Sequence, residues 1–228
     1  MRAFAEQVSV RHTQLDLLVN NAGIMMVDPG LSADGFELQV AANHLGHFAL
    51  TGQLMDLVIS TPGARVVTVS SLAHRWGSVD PATVEQVGAD YSKVRAYGRS
   101  KLANLLFAYD LQRRFAERGI PAGSLAAHPG SAGTGLADHL LTGPISGKLH
   151  GPSMALITQS PAAGALPQLR AATDPAAIGG QYYGPDRLGQ QRGAPVVVTS
   201  TKASYDVRTA QALWARSAEL TGVRYLSD

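Results

Sequence analysis

No cysteine occurs in the 228 residues. That excludes disulfides, thiolate nucleophiles and cysteine-held metals, and it fits a reducing, cytoplasmic setting. An excess of charge of one sign is also lacking: nineteen Lys and Arg stand against seventeen Asp and Glu, a net +2. With no basic block to neutralise a run of phosphates, nucleic acid is not an expected partner. The apolar runs are too short or too interrupted to span a bilayer, and the opening MRAFAEQVSVRHTQ is polar and amphipathic, unlike a signal peptide. Histidines are present, but His44 and His47 stand one turn apart with no third ligand in a recognisable pattern, so no metal site is expected. Trp76 and Trp214 read as packing residues.

What is present is an ordinary globular composition, 45% hydrophobic with Gly 24 and Pro 12, and a length that suits one domain over 1–228. Short apolar runs alternate with helical patterns. Residues 2–12 read as helix, and Leu15 to Asn20 as a strand of nearly unbroken apolar character ending in Asn21-Ala22-Gly23. Residues 33–59 carry helical periodicity with a break near His44-Leu45-Gly46, and Ala64 to Ser71 reads as a second strand. A polar loop leads to a long helix from near Tyr91 to Arg118, stopped by Gly119. Gly123 to Ala127 is a third strand running into His128-Pro129-Gly130. Helix is expected again over 151–171, a short strand over Gly180 to Tyr183, and a terminal helix over Ala203 to Leu220. Strands of this kind separated by helices mean an α/β fold, a parallel sheet covered on both faces.

Such sheets place ligands beyond the carboxyl ends of their strands. Asn20 to Gly23, Ser70 and Ser71, and Pro129 and Gly130 all follow those ends. On the long helix, Tyr97 and Lys101 lie about one turn apart, so an ammonium could stabilise a phenolate and let Tyr97 act as an acid or base near neutral pH. Asn43 is an unusual helix-interior residue, because its side chain competes for backbone hydrogen bonds. Each candidate also has a plain structural use: Ser71 could cap a turn, and Asn20 to Gly23 could only shape one.

Taken together, Asn20-Asn21-Ala22-Gly23, the Asn43 of NHLGHF, Val69-Ser70-Ser71, the Tyr97-x-x-x-Lys101 pair and Pro129-Gly130 with Thr134 resemble the motifs of the short-chain dehydrogenase/reductase family. The spelling YGRSKLANLLF most resembles its branch of retinol dehydrogenases and protochlorophyllide reductases. The resemblance implies a doubly wound, Rossmann-like domain that moves hydride between NADP or NAD, NADP preferred, and a lipophilic alcohol, aldehyde or ketone. It implies Tyr97 as acid or base, Ser71 on the substrate oxygen, Lys101 on the nicotinamide ribose, and Asn43 in a proton relay. Asn20, Asn21, Ala22, Gly23, Pro129, Gly130 and Thr134 would border the cofactor.

The family's first strand and glycine-rich pyrophosphate turn have no counterpart, since Gly23 is the first glycine. About 70 to 80 residues of the family pattern are unrepresented by that comparison, so the domain is expected to be incomplete and the chain a piece of a longer product. The Leu15 strand then becomes an open edge that invites pairing, with a second copy as a homodimer the candidate partner. Two further expectations follow. Residues 132–154, with Leu136, Leu140, Leu141 and Ile145, would form a hydrophobic substrate lid. The alternative to an enzyme is a non-catalytic interaction module using that edge. A serine hydrolase is disfavoured because Ser71 lacks the GxSxG elbow.

Overall fold

The computed structural model describes residues 1–131 and 159–226. Its elements are α1 (Arg2–Arg11), β1 (Leu17–Asn20), α2 (Leu38–Val40), a π-helical turn (Ala41–Leu45), α3 (Gly46–Gln53), α4 (Met55–Ile59) and β2 (Arg65–Val69). A 3-10 turn (Leu72–Trp76) follows, then α5 (Lys93–Glu117), β3 (Gly123–Ala127), α6 (Pro161–Thr173), β4 (Tyr182–Arg187), β5 (Arg192–Val198), a second 3-10 turn (Lys202–Tyr205) and α7 (Val207–Thr221).

The five strands lie in the order β1-β2-β3-β4-β5. The first four run parallel, so their carboxyl ends share one edge, and β5 returns antiparallel to β4. This is the architecture of a partial Rossmann fold, as the alternation of elements predicts. Successive strand residues face opposite layers. Val66 packs with Phe48, Phe107 and Trp214 on the side of α3, α5 and α7. Val67 packs with Ala171, Ala172 and Tyr183 on the side of α6. The first layer is closed by aromatic edge contacts, with Phe48 centred 5.1 Å from Trp214 and 5.8 Å from Phe107.

β1 lies at one end of the sheet, as an open edge should. Its Leu18 and Asn20 are buried under the helices, while Leu17 and Val19 on the other face are 42% and 44% exposed. The expected break in residues 33–59 is the π-turn, which is where Asn43 sits. Glu37 starts that helical stretch by accepting the backbone N–H groups of Gln39 and Val40.

Three boundaries differ from expectation. β5 was not foreseen, and β4 runs on to Arg187 to pair with it. The terminal helix begins at Val207, because Asp206 caps it by accepting the Thr209 N–H at 2.8 Å. In the 151–171 region, Ser160 caps a helix that starts at Pro161. The lid expected at 132–154, with Thr134, lies outside the described residues. No described helix is long and apolar enough to cross a membrane.

Candidate active site

The carboxyl ends of β1, β2 and β3 open onto a cleft of about 630 Å³, lined by Asn21 to Ile24, Val69, Ser70, Tyr97, Lys101 and Pro129, with Gly164, Ala165 and Gln168 of α6 on its far wall. Tyr97 and Lys101 reach it from one face of α5, the ammonium 5.7 Å from the centre of the phenol ring. Both are almost fully buried, at 5% and 4% exposed. The long helix can approach the serine turn this closely because Gly98 has no side chain. A Cβ there would stand 2.7 Å from the Ala73 carbonyl oxygen and 3.0 Å from the Gly77 nitrogen.

Ser71 caps the following turn, its hydroxyl accepting the Ala73 N–H at 3.2 Å, and it stands near enough to Tyr97 to act on the phenol. Burial raises the Tyr97 phenol above its ordinary value, and Ser71 offsets part of that rise. The sequence pattern pointed to Lys101 for that lowering. The Lys101 ammonium stands 5.7 Å from the ring centre and donates to the Val69 carbonyl at 3.1 Å, and burial holds its own pKa down to about 8. The same carbonyl accepts Asn104 Nδ2, also at 3.1 Å.

Asn43 is a tether. Its Oδ1 accepts from the Ile24 N–H at 2.8 Å, while its Nδ2 donates to the Ile24 carbonyl and to Ser100 Oγ, each at 2.9 Å. Ser100 Oγ donates in turn to the Tyr97 carbonyl at 2.8 Å. One amide thus ties the loop after β1 to the turn of α5 that carries the phenol, which the loosened π-turn permits. Gly23 lies against this tether: a Cβ there would meet Asn43 Oδ1 at 2.7 Å and stand 3.8 Å from Lys101 Nζ.

Asn21, Ala22, Gly23 and Pro129 border the cleft as the motif predicts, and Gly130 follows with a φ of 65°. Asn20 does not face it. The strand alternation turns Asn20 toward the helices, where its Nδ2 donates to Thr51 Oγ1 at 2.9 Å. Sequence reasoning missed Ser100 and Asn104, although both lie on the same face of α5 as Tyr97 and Lys101. Among the described residues no group of His, Asp or Glu could hold a metal ion.

The short chain dehydrogenase family model matches residues 1–142, a stretch that carries the loop after β1, the tether, the serine turn and the tyrosine–lysine helix. The chain belongs to the short-chain dehydrogenase family. Human Retinol dehydrogenase 13 is 36% identical over 227 residues, covering 98% of this chain and 65% of that protein. Human Polyprenol dehydrogenase is 35% identical over 230 residues, covering 98% of this chain and 66% of that protein. The chain therefore spans just under two thirds of the length of these relatives. A crystal structure of an uncharacterized protein from Mycobacterium Paratuberculosis superposes with a TM-score of 0.78 at 38% identity, covering 98% of this chain and 72% of that one. Of the four residues the motifs single out, Tyr97 and Lys101 line the cleft, while Ser71 stands on the adjoining turn and Asn43 behind it, tying the loop after β1 to α5.

Proposed function

We propose that this short-chain dehydrogenase carries out NAD(P)-dependent hydride transfer on a lipophilic alcohol, aldehyde or ketone. The observation that carries this reading is the pair of buried residues Tyr97 and Lys101, one turn apart on α5 with the ammonium 5.7 Å from the phenol ring centre, both lining the strand-end cleft beside the Ser71 turn. The residues present fit the nicotinamide half of the cofactor. The Lys101 ammonium and Tyr97 phenol offer a donor set for ribose hydroxyls, and the bare Gly23 leaves the loop after β1 open to close approach. When bound, the cofactor supplies or accepts the hydride.

The chain's own residues manage the proton. In the reducing direction Tyr97 gives its proton to the substrate oxygen, and its raised pKa keeps that proton in place until the oxygen gains charge. The Ser71 hydroxyl steadies the same oxygen. The Lys101 ammonium, 5.7 Å from the centre of the phenol ring, favours the phenolate left behind. Of the two nucleotides, NADP is the one we favour, on the likeness of YGRSKLANLLF to the retinol dehydrogenase branch. The lipophilic substrate class is supported by the names of the two human relatives. The compartment we propose is the reducing cytoplasm, in keeping with the absence of cysteine.

A second reading is favoured by one observation, the open β1 edge with Leu17 and Val19 exposed. That edge could pair with a second copy, and in the extreme case the chain would serve only as an interaction module. Titration of NADPH and NADH by nicotinamide fluorescence separates the readings. Saturable binding, with turnover that falls at least about a hundredfold in Tyr97→Phe while nucleotide affinity is kept, supports the enzyme. Turnover unchanged in that variant would remove Tyr97 from the chemistry.

A further inference from the structure

His74 has no part in the proposed chemistry, yet it is buried in the turn that carries Ser71, 1% exposed. Its Nδ1 lies 2.6 Å from the Ser71 carbonyl oxygen. On its other side the backbone N–H of Thr201 points at Nε2 at 3.3 Å. A backbone N–H can only donate, so Nε2 must carry the lone pair and Nδ1 the proton. The imidazole is thereby defined as a neutral bridge, donating to Ser71 and accepting from Thr201.

The far end of the bridge is anchored. Ser204 Oγ donates to the Thr201 carbonyl at 2.6 Å and shares a 2.6 Å hydrogen bond with Ser200 Oγ. Ser200 Oγ is joined at 2.9 Å to the Tyr109 hydroxyl on α5, and the Tyr109 ring stacks on Tyr205 at 4.9 Å. Both ends of the bridge therefore return to one helix. Thr201 reaches α5 through Tyr109, and Ser71 is held to it through its neighbour Ser70, whose hydroxyl donates to the Lys101 carbonyl at 2.8 Å.

We propose that His74 is a positioning residue for the hydride-transfer site: by holding the Ser71 carbonyl to the Thr201 N–H, it fixes the backbone that carries the Ser71 hydroxyl beside Tyr97. This rests on the functional reading above, but its structural half can be tested without cofactor or substrate. The groups facing the imidazole are Arg75 on its own turn, His128 from the end of β3, and the Tyr182 ring of β4 with its centre 5.9 Å away. Burial, more than Arg75, lowers the His74 pKa against the raising effect of Ser71, which favours the neutral ring that the hydrogen-bond geometry requires.

Three variants divide the role. His74→Phe keeps the ring volume and loses both hydrogen bonds. His74→Asn restores a donor near the Nδ1 position, and His74→Gln restores an acceptor near Nε2. In the whole ligand-free chain, histidine 15N spectra should show His74 as the neutral Nδ1–H form at pH 7. The Tyr97 13Cζ resonance, assigned by its loss in Tyr97→Phe, should titrate at higher pH in His74→Phe, because Ser71 no longer offsets the burial of the phenol. In His74→Asn it should return toward the wild-type value. A folded His74→Phe protein with an unmoved Tyr97 titration overturns the proposal, as does an Nε2–H tautomer in the wild type.

In the working enzyme, His74→Phe should lower kcat about tenfold or more with KM and NADPH affinity nearly unchanged. Unchanged kcat in an active wild-type background again overturns the positioning role while leaving the enzyme assignment standing. Binding of neither nucleotide by the wild-type chain is the behaviour expected of a domain without the pyrophosphate turn, and the Tyr97 titration still decides the role of His74 in placing Ser71.

Discussion

At the scale of single residues, Lys101 shows a site held together against its own solvation preference. Its ammonium donates to the Val69 carbonyl, and burial brings its pKa from 10.5 to about 8. A shift of that size corresponds to about 3 kcal/mol of cost for keeping the charge at neutral pH. The hydrogen bond it makes returns about 1.5 to 3 kcal/mol when one partner is charged. Replacing it by methionine removes both terms, fills similar volume, and leaves Val69 bonded to Asn104. Lys101→Met should therefore be at least as stable as the parent in urea unfolding near pH 7, while nucleotide affinity and turnover both fall by about tenfold or more. A variant that loses stability and keeps affinity would show Lys101 to be a structural residue. The sign also fixes a pH trend. Since the unfolded lysine holds its proton up to 10.5 and the folded one releases it near 8, the Lys101 contribution improves stability as pH rises through that window and is absent in Lys101→Met.

At the scale of elements, the contact between α5 and the Leu72–Trp76 turn decides whether Tyr97 and Ser71 meet. Gly98→Ala sets two effects against each other. Alanine gains about 1 kcal/mol of helix propensity over glycine. Its Cβ, however, would stand 2.7 Å from the Ala73 carbonyl oxygen, a backbone atom that cannot swing away as a side-chain tip could. Overpacking of this kind costs about 1 to 3 kcal/mol and moves the backbone. The variant should unfold at lower denaturant, and kcat should fall more than stability alone accounts for, because the displaced turn carries Ser71. Equal or higher stability with full turnover would mean that the turn has room to spare.

This contact also marks the limit of what the sequence reveals. The one-turn spacing of Tyr97 and Lys101 is local, and so is the disturbance that Asn43 brings to its helix, so both are legible. So are the parallel strands, because their apolar runs end in the small and polar residues of the site. Asn20 was placed in the cofactor border because the motif contains it, but the parity of a strand fixes which layer each side chain enters, and that emerges only once Leu18 is packed. β5 escaped notice because its pairing with β4 is a tertiary event, and Arg192 to Val198 shows no clean alternation of its own. His74 was equally silent, since Thr201 is 127 residues away along the chain.

For the whole molecule, the governing feature is how many imidazoles the fold buries in neutral form. His44 sits among Phe48 and Phe107 with its Nε2 2.9 Å from Ser217 Oγ, and its pKa falls from 6.5 to about 3. His47, between the loop after β1 and Lys101, falls to about 4, and His128, beneath β4, to about 3. Desolvation is the largest cause in each case. The unfolded chain protonates these rings near 6.5 while the folded one does not, so their contribution is complete above 6.5 and is lost as pH falls toward the folded values. Each ring can remove up to about 1.4 kcal/mol per pH unit across that interval. Stability from urea unfolding should thus be nearly level with respect to these groups between pH 7 and 8 and should drop steeply from pH 6 to 4.5. Unfolding near pH 5 should be accompanied by the uptake of nearly one proton per buried ring. His44→Gln should lessen that slope by close to one proton, since its surroundings are the most thoroughly apolar of the three. An acid slope identical in parent and variant would mean that His44 is already charged in the folded protein, and that the helix layer around Phe48 admits water that the packing described here excludes.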